Sequence, residues 1–201
     1  MTDSQSYSLR KRGLMDTKTK LVNAAMAVFK KKGLEKTKVS DIVKQAGVAQ
    51  GTFYLYFSSK LSVMPAIAQG MVLKMREELT NTVNPAAPLP QQVDQIVESI
   101  FKTVDKHRDI LAFLYTGLTQ SADITKWESL YAPIYEWIKQ FLQRNCLSLR
   151  AGMNAPYTAR LLIACIEEAA EQVFLFSHRD AQEAARQQEE TAVFVKHALG
   201  V

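Results

Sequence analysis

Residues 37–60 read TKVSDIVKQAGVAQGTFYLYFSSK, a pattern that predicts two short helices joined by a glycine turn. Apolar residues recur at helical spacing over 39–46, so they predict one buried face. Gly47 permits the positive φ of a tight turn. The next helix, predicted over 50–57, carries small and hydroxyl side chains around the aromatic anchor Phe53. A short helix of this kind, held against another by a glycine turn, has the shape that enters a major groove, so the stretch predicts a DNA-binding helix-turn-helix.

The order of these residues resembles the helix-turn-helix of the TetR family of bacterial transcriptional repressors. The match has no gap, and its residues are Thr37, Val39, Ile42, Ala46, Gly47, Val48, Gly51, Thr52, Phe53, Tyr54, Phe57 and Lys60. Two places depart from the family's pattern: Lys38 replaces a threonine, and Leu61 and Ser62 replace the acidic pair that commonly follows the lysine. The resemblance implies an all-α chain of about nine helices. It implies an N-terminal three-helix DNA-binding head and a C-terminal helical domain for ligand binding and dimerisation.

The positive charge of the chain is concentrated near its N-terminus. The first 60 of 201 residues hold 12 Lys and Arg against 4 Asp and Glu, whereas the rest hold 13 against 16. The net charge is therefore +8 in the first part and −3 in the second, in agreement with the total of +5. A basic surface attracts phosphate, and here it coincides with the helix-turn-helix. The bias favours double-stranded DNA as a partner over a merely soluble basic surface.

No other class of site stands out in the sequence. Cys146 and Cys165 lie apart in apolar helical patterns, which favours buried free thiols over a disulfide framework or a zinc site. The histidines are isolated and no nucleophile–base spacing is present, so we expect no enzyme, metal or cofactor. The chain has no apolar run of membrane-spanning length and no signal-peptide core. We therefore expect a cytoplasmic protein without a membrane partner.

Helical periodicity divides the chain into three predicted regions. Residues 1–15 are polar and basic with no helical period, and they are predicted to form a flexible basic arm. Residues 16–62 are predicted to form the helix-turn-helix domain, and residues 63–201 the ligand-binding and dimerisation domain. The three prolines of Asn84–Pro90 predict a loop. Helices are predicted over about 17–32, 39–46, 50–57, 58–81, 93–104, 110–118, 124–149, 156–178 and 181–199.

Glycine and proline predict how several of these helices begin and end. Gly33 is expected to stop the first helix. Pro65 should bend the fourth helix or delay its start, and Pro133 should interrupt the seventh. Pro156 suits the first turn of the eighth.

The exposed side chains of the third predicted helix are candidates for reading DNA. Gln50 can pair bidentately with adenine, and Gly51 lets the backbone come close to the bases. The resemblance implies that these two residues and Thr52 read bases, and that Tyr54 meets a phosphate. Lys60, at the N-terminus of the next helix, is expected to clamp a phosphate.

Three further residues are candidates for the same surface. Ser40 and Lys44 on the second helix are expected to face the same DNA strand. Tyr56 carries a hydroxyl that can reach a phosphate, but partial burial with only the tip in water is an equal alternative.

The two C-terminal helices are predicted to form a homodimer. One such helix-turn-helix reads only a few base pairs, and the family's solution is a twofold dimer. The eighth helix is apolar around most of its circumference, more than a core within one chain requires. The alternative is that both helices are core of a single chain. The residues on which the prediction rests are Leu161, Leu162, Ala164, Cys165, Ala169 and Val173, with Ala181, Ala184, Ala185, Ala192 and Val195.

Aromatic residues in the middle of the chain are candidates for an effector site. An aromatic stripe is more often core than pocket. The resemblance nevertheless implies a ligand cavity, and one of Glu167, Glu168 and Glu171 is expected to face inward, to pair across the dimer or to reach the surface. An inward carboxylate beside aromatic rings would suit a cationic, lipophilic effector. The predicted ligand-binding residues are Phe101, Phe113, Trp127, Tyr131, Tyr135 and Glu168.

Together these features predict a sequence-specific DNA-binding transcriptional regulator. Its expected partners are a palindromic operator, a small and largely apolar effector that releases it as a repressor, and a second copy of the chain. The alternative is a helical DNA-binding or adaptor protein without a small-molecule ligand.

Overall fold

The structure is a computed structural model that describes residues 3–118, 129–176 and 180–201, with side chains described over 16–112, at 114, and in the last two ranges. Within these ranges the regular structure is entirely helical, which confirms the predicted all-α class. The described α-helices are α1 (Asp3–Lys32), α2 (Val39–Ala46), α3 (Gln50–Tyr54), α4 (Met64–Thr82), α5 (Leu89–Leu118), α6 (Ala132–Arg144), α7 (Ala155–Glu171) and α8 (Ala181–Leu199).

The described residues fall into two compact units. The first holds the chain up to Ala68 together with the end of α5 from Phe113. The second holds Gln69–Ala112 and the described residues from 129 onward. Helices α4 and α5 therefore each contribute residues to both units.

The first unit is a small helical head in which α1 packs on α2 and α2 packs on α3. Gly33 and Gly47 have φ of 77° and 67°, so each ends its helix in the left-handed conformation that glycine adopts without strain. Behind Gly47, the N–H of Val48 donates to the carbonyl of Val43 at 3.1 Å, which closes the predicted turn. The buried core of the first unit includes Leu21, Ala24, Ala25, Val28, Phe29, Leu34, Ile42, Val43, Phe53, Phe57, Val63, Met64 and Ile67.

The start of α4 is delayed, as Pro65 predicted. A 3₁₀ turn covers Leu61–Val63, and α4 begins at Met64 with the proline in its first turn. Before it, the N–H of Ser59 donates to Oγ of Ser62 at 3.1 Å, and the N–H of Ser62 donates to Oγ of Ser59 at 3.2 Å. This reciprocal pair closes the start of the 3₁₀ turn that precedes α4.

Two predicted helix limits in the N-terminal part are wrong. Helix α1 begins at Asp3 instead of about residue 17, because the first 15 residues contain Gly13 as their only strong helix breaker. Helix α3 ends at Tyr54 rather than residue 57, and the N–H groups of Tyr56 and Phe57 turn back to the carbonyl of Phe53 at 3.0 and 2.9 Å.

The separate sixth helix predicted over 110–118 is also wrong. Helix α5 runs through without a break from Leu89 to Leu118. The intervening residues include neither Gly nor Pro, and Arg108 forms an ion pair with Asp105 at 2.6 Å, one turn apart. The loop predicted over Asn84–Pro90 is confirmed up to the start of α5.

The helix predicted over 124–149 has different limits in the described part. Helix α6 begins at Ala132, so Pro133 stands in its first turn, where the missing N–H costs nothing. It ends at Arg144, where the side-chain amide of Asn145 donates to the carbonyl of Phe141 at 2.9 Å and competes with the helical ladder. The first residues of the predicted helix, 124–128, lie outside the described residues.

The second unit is built around one hydrophobic core, to which α4, α5, α6, α7 and α8 contribute. Helix α7 begins at Ala155, with Asn154 accepting the N–H of Tyr157 at 3.1 Å as its cap. It ends at Glu171 and continues as a π-helical turn over Gln172–Phe176, and the last two residues of the predicted helix, 177 and 178, lie outside the described residues. Helix α8 covers Ala181–Leu199 as predicted.

No helix in the part of the chain that the structure describes is both long and apolar enough to cross a membrane.

Candidate DNA-binding and effector sites

Helix α3 presents its predicted reading residues to solvent. Phe53 is fully buried and anchors the helix to the head, as predicted. Gln50 and Gly51 are exposed, and Thr52 is half-buried. The short helix therefore turns its first residues outward, because its one large apolar side chain points into the core.

Gly51 lies in open space within the head. A Cβ built at this position would meet no atom within 4 Å, and the residue is helical. The head itself therefore does not require glycine here.

Two tyrosines follow on the same segment. The ring of Tyr54 is 52% exposed and packs edge-on against Phe53, with centroids 5.6 Å apart. Tyr56 is half-buried and lies against Phe57 at 6.5 Å. The two residues thus differ in exposure: Tyr54 is exposed and packs against Phe53, whereas Tyr56 is half-buried. Leu55, between them, is 80% exposed.

Helix α2 is fixed at its start by an ion pair that the sequence did not reveal. The ammonium of Lys32 lies 2.6 Å from a carboxylate oxygen of Asp41, and the N–H of Lys38 donates to the other oxygen at 3.0 Å. These two hydrogen bonds hold the pKa of Asp41 below its usual range. Ser40 and Lys44 stand exposed on this helix, as a DNA-facing role requires.

Lys60 is placed differently from the prediction. Its ammonium donates to three backbone carbonyls of the segment between α1 and α2, those of Leu34 at 2.8 Å, Glu35 at 2.9 Å and Thr37 at 2.9 Å. The predicted phosphate contact would need the N–H donors of the Lys60 ammonium, which already donate to these three carbonyls.

The second unit contains a cluster of two tyrosines, an arginine and two glutamates, which we call the tyrosine–glutamate cluster: Tyr131, Tyr135, Arg160, Glu167 and Glu171. The two tyrosine rings are stacked at the start of α6, with centroids 5.7 Å apart. Arg160 lies on α7, and its guanidinium carbon is 5.1 Å from the centroid of the Tyr135 ring. Glu167 and Glu171, one turn apart on α7, face the same side.

Glu167 is half-buried as a residue, and its carboxyl group lies at the buried end of the side chain, in this cluster. Burial, reinforced by the charge of Glu171, raises the pKa of Glu167 to about 8, although the Tyr131 hydroxyl hydrogen-bonds to the carboxyl group and opposes the rise. Glu171 is itself only 6% exposed. Burial and the charge of Glu167 also raise the pKa of Tyr135. At neutral pH the Glu167 carboxyl is therefore mostly protonated and can donate as well as accept a hydrogen bond.

Glu168, the predicted ligand residue, lies outside the tyrosine–glutamate cluster. It is exposed and accepts a hydrogen bond from the side-chain amide of Gln172 at 2.8 Å. Successive residues on a helix differ by about 100° in direction, so Glu168 leaves the face that Glu167 and Glu171 share. Of the three glutamates, Glu171 is buried, Glu167 is half-buried and Glu168 is exposed.

The other predicted ligand residues lie in different parts of the chain. Tyr131 and Tyr135 belong to the tyrosine–glutamate cluster, as described above. Phe101 is 1% exposed in the hydrophobic core and packs edge-on against Phe174 at 6.2 Å, which favours a packing role. The side chain of Phe113 and the whole of Trp127 lie outside the described residues.

An open groove lies beside this cluster, between the first half of α6 and the start of α7. Its volume is about 550 Å³, and Tyr135 and Arg160 belong both to the groove and to the cluster. Lys139 and Glu136 line it as well and form an ion pair at 2.6 Å. Tyr135 and Arg160 thus connect the groove to the tyrosine–glutamate cluster.

Helices α7 and α8 keep apolar surface exposed in the single chain. Leu161 and Tyr157 on α7 are 70% and 69% exposed, and Phe194 on α8 is 61% exposed. Of the residues predicted to mediate dimerisation, Leu162, Val173, Ala192 and Val195 are instead buried in the second unit. The exposed members are Leu161, Ala164, Ala181 and Ala185, whereas Cys165, Ala169 and Ala184 are half-buried.

Comparison with known proteins gives one consistent family. The profile for bacterial regulatory proteins of the tetR family matches residues 21–67, and the profile for the tetracyclin repressor-like C-terminal domain matches residues 93–199. The uncharacterized HTH-type transcriptional regulator YvdT of Bacillus subtilis is 33% identical over 183 residues, which cover 90% of this chain and 94% of YvdT.

Two solved structures share the fold at lower identity. The transcriptional regulator FadR from Bacillus subtilis, in complex with stearoyl-CoA, superposes with a TM-score of 0.69 at 17% identity, covering 88% of this chain and 96% of FadR. Thermus thermophilus FadR, in complex with lauroyl-CoA, gives a TM-score of 0.68 at 18% identity, covering 89% and 92%.

Proposed function

The chain belongs to the TetR family of bacterial transcriptional regulators, and we propose that it is a repressor that binds a palindromic operator through α2 and α3 of its first unit. One observation carries the proposal: Phe53 is buried while Gln50 and Gly51 stand exposed beside it. A recognition helix needs this division between an anchored face and a reading face. In this proposal Gln50, Gly51 and Thr52 read base edges, and the cell compartment is the cytoplasm.

The residues around α3 supply contacts to the DNA backbone. Tyr54 has an exposed hydroxyl on a ring held by Phe53, so it can meet a phosphate with little loss of conformational freedom. Ser40 and Lys44 extend the same role to α2. Tyr56 is half-buried, so we assign it to the edge of this surface.

Binding can be tested with a DNA fragment from the region upstream of the chain's own gene. Affinity should fall steeply as salt rises, because phosphate contacts release counterions. Gln50→Ala should change the preference at one base position by roughly 1–3 kcal/mol, whereas Lys44→Ala should weaken binding to every sequence alike. Salt-independent binding of the wild-type chain, or an equal loss on all sequences in the Gln50 variant, would contradict the proposal.

We assign the exposed apolar faces of α7 and α8 to a homodimer. Leu161 and Phe194 are large side chains that a single chain leaves mostly in water. Such surface on a soluble chain marks a protein interface. A twofold pair of heads would match the two halves of a palindromic operator, which a single short helix cannot specify.

The effector in this proposal is a small, largely apolar molecule bound at the tyrosine–glutamate cluster. The stacked rings of Tyr131 and Tyr135 supply apolar surface, and the protonated carboxyl of Glu167 supplies one polar anchor. Fatty acyl-CoA thioesters are the first compounds to test, because FadR proteins of the same fold hold them. The effector releases DNA only if it binds the DNA-free conformation more tightly.

Release can be measured on the operator complex with lauroyl-CoA and with dodecylamine, a lipophilic cation, using free CoA as the control ligand. We expect one of the two long-chain compounds to dissociate the complex, and Tyr135→Leu to raise the concentration required. Glu168→Gln, on the solvent side of α7, serves as the matched control and should leave that concentration unchanged. If neither compound binds, the alternative of a DNA-binding protein without a ligand is favoured.

A further inference from the structure

The side chain of Lys60 joins two parts of the first unit that are far apart in sequence. We propose that Lys60 is a positioning residue, which holds the segment between α1 and α2 against the start of α4 and does not clamp a DNA phosphate. Its effect on DNA binding rests on the function proposed above. Its effect on the free head does not.

The hydrogen bonds use the full capacity of the ammonium group. A lysine ammonium has three N–H donors, and three carbonyls lie within 2.8 to 2.9 Å of Nζ of Lys60. Because each bond has a charged donor, each is stronger than a bond between neutral groups. To meet a phosphate, the ammonium would have to leave carbonyls that face it from a single segment.

The segment that Lys60 holds follows directly on the C-terminus of α1. Helix α1 ends at Lys32, and the carbonyls of Leu34 and Glu35 follow within one turn. The last turn of a helix carries partial negative charge, which a cation there balances. The Thr37 hydroxyl also donates to the carbonyl of Gly33 at 2.7 Å, so the segment is folded back on itself around the lysine.

The same contacts fix where α2 begins. Thr37, whose carbonyl accepts from Lys60, immediately precedes Lys38, the N-cap residue of α2. The lysine therefore links the 3₁₀ turn that leads into α4 to the start of α2, and it lies 23 residues after Thr37 in sequence. A change in the position of the start of α4 would reach Ser40 and Lys44 through this link.

Amide hydrogen exchange in the DNA-free, full-length chain tests the link itself. In Lys60→Met, which keeps the aliphatic stem, the amides of Thr37, Asp41 and Ile42 should exchange roughly tenfold or more faster, because local opening requires fewer bonds to break. Lys60→Arg should show the same change, because its planar fork cannot direct three donors from one nitrogen. The control Lys36→Met removes an exposed charge from the same segment and should leave exchange unchanged. Unchanged exchange in both Lys60 variants would overturn the proposal.

The second arm measures the salt dependence of binding to the upstream DNA fragment, with affinities corrected for the folded fraction. We expect both Lys60 variants to lose affinity by roughly tenfold with the salt slope unchanged. A phosphate contact predicts another result: Lys60→Arg binds like wild type, and Lys60→Met lowers the slope by about 0.9. That result overturns the proposal, as does wild-type affinity in both variants. If Lys60→Met does not fold, Lys60→Arg decides both arms. If the wild-type chain does not bind the fragment, the proposed operator function fails and hydrogen exchange alone decides the role of Lys60.

Discussion

Glu167→Gln is the substitution whose effect on stability can be worked out most fully from the structure. The pKa of the Glu167 carboxyl is raised to about 8 in the folded chain, from an ordinary value of 4.5. Between these two pH values the folded state keeps a proton that the unfolded state has lost. The free energy of unfolding must therefore fall as pH rises through this window. Glutamine has nearly the same shape and does not titrate, so the variant should lose this dependence.

The size of the effect follows from the number of protons involved. One proton difference corresponds to about 1.4 kcal/mol per pH unit, so from pH 5.5 to pH 7 Glu167 should lower the free energy of unfolding by roughly 2 kcal/mol. In a chain of this size, such a change corresponds to about 4–8 °C in the melting temperature. The variant should thus be more stable than the wild type at pH 7 and close to it near pH 4.5.

Denaturant unfolding of both proteins across this pH range measures the difference, in which the titrating groups that do not interact with Glu167 cancel. Glu171 and Tyr135, which interact with Glu167, both remain in the two proteins compared. Glu168→Gln is the matched control, because that residue carries the same group on the same helix but is exposed. Parallel pH profiles for the wild type and Glu167→Gln would refute the assignment of a buried, protonated carboxyl.

Three further substitutions test other parts of the structure. Gly51→Ala should raise the stability of the head by up to ~1 kcal/mol, since alanine favours helix and no atom obstructs its Cβ, while gel shifts should show weaker operator binding. Leu161→Glu should sediment as a folded monomer, because the side chain is 70% exposed in the single chain. The control Lys102→Glu, on α5, should leave the assembly unchanged. A wild-type chain that is monomeric at micromolar concentration would contradict the interface. Phe53→Ala should cost the head about 3–5 kcal/mol in denaturant titrations through the cavity it leaves, and near-native stability would show that α3 has another anchor.

The sequence alone was sufficient for features that depend on local chemistry. The turn at Gly47, the stop at Gly33, the delay at Pro65 and the limits of α8 all follow from residues that act on their own backbone. The anchoring of α3 by Phe53 could be predicted for a similar reason, because burial on a helix follows its period. Failures of local prediction, such as the continuous α5, arose where no residue in the sequence favours or forbids a break.

The roles of Lys60, Glu167 and Glu168 depend instead on atoms that are distant in sequence. The carbonyls that bind Lys60 lie 23 to 26 residues before it, and no spacing rule connects a lysine to backbone oxygens in another loop. Glu167 and Glu168 are adjacent and chemically identical, so only the packing of α6 against α7 could separate the buried carboxyl from the exposed one. The same is true of Leu161 and Leu162, of which one is exposed and one is buried. Local pattern predicts which residues form a helix, but the direction of each helical face is set by the free energy of packing against its neighbours.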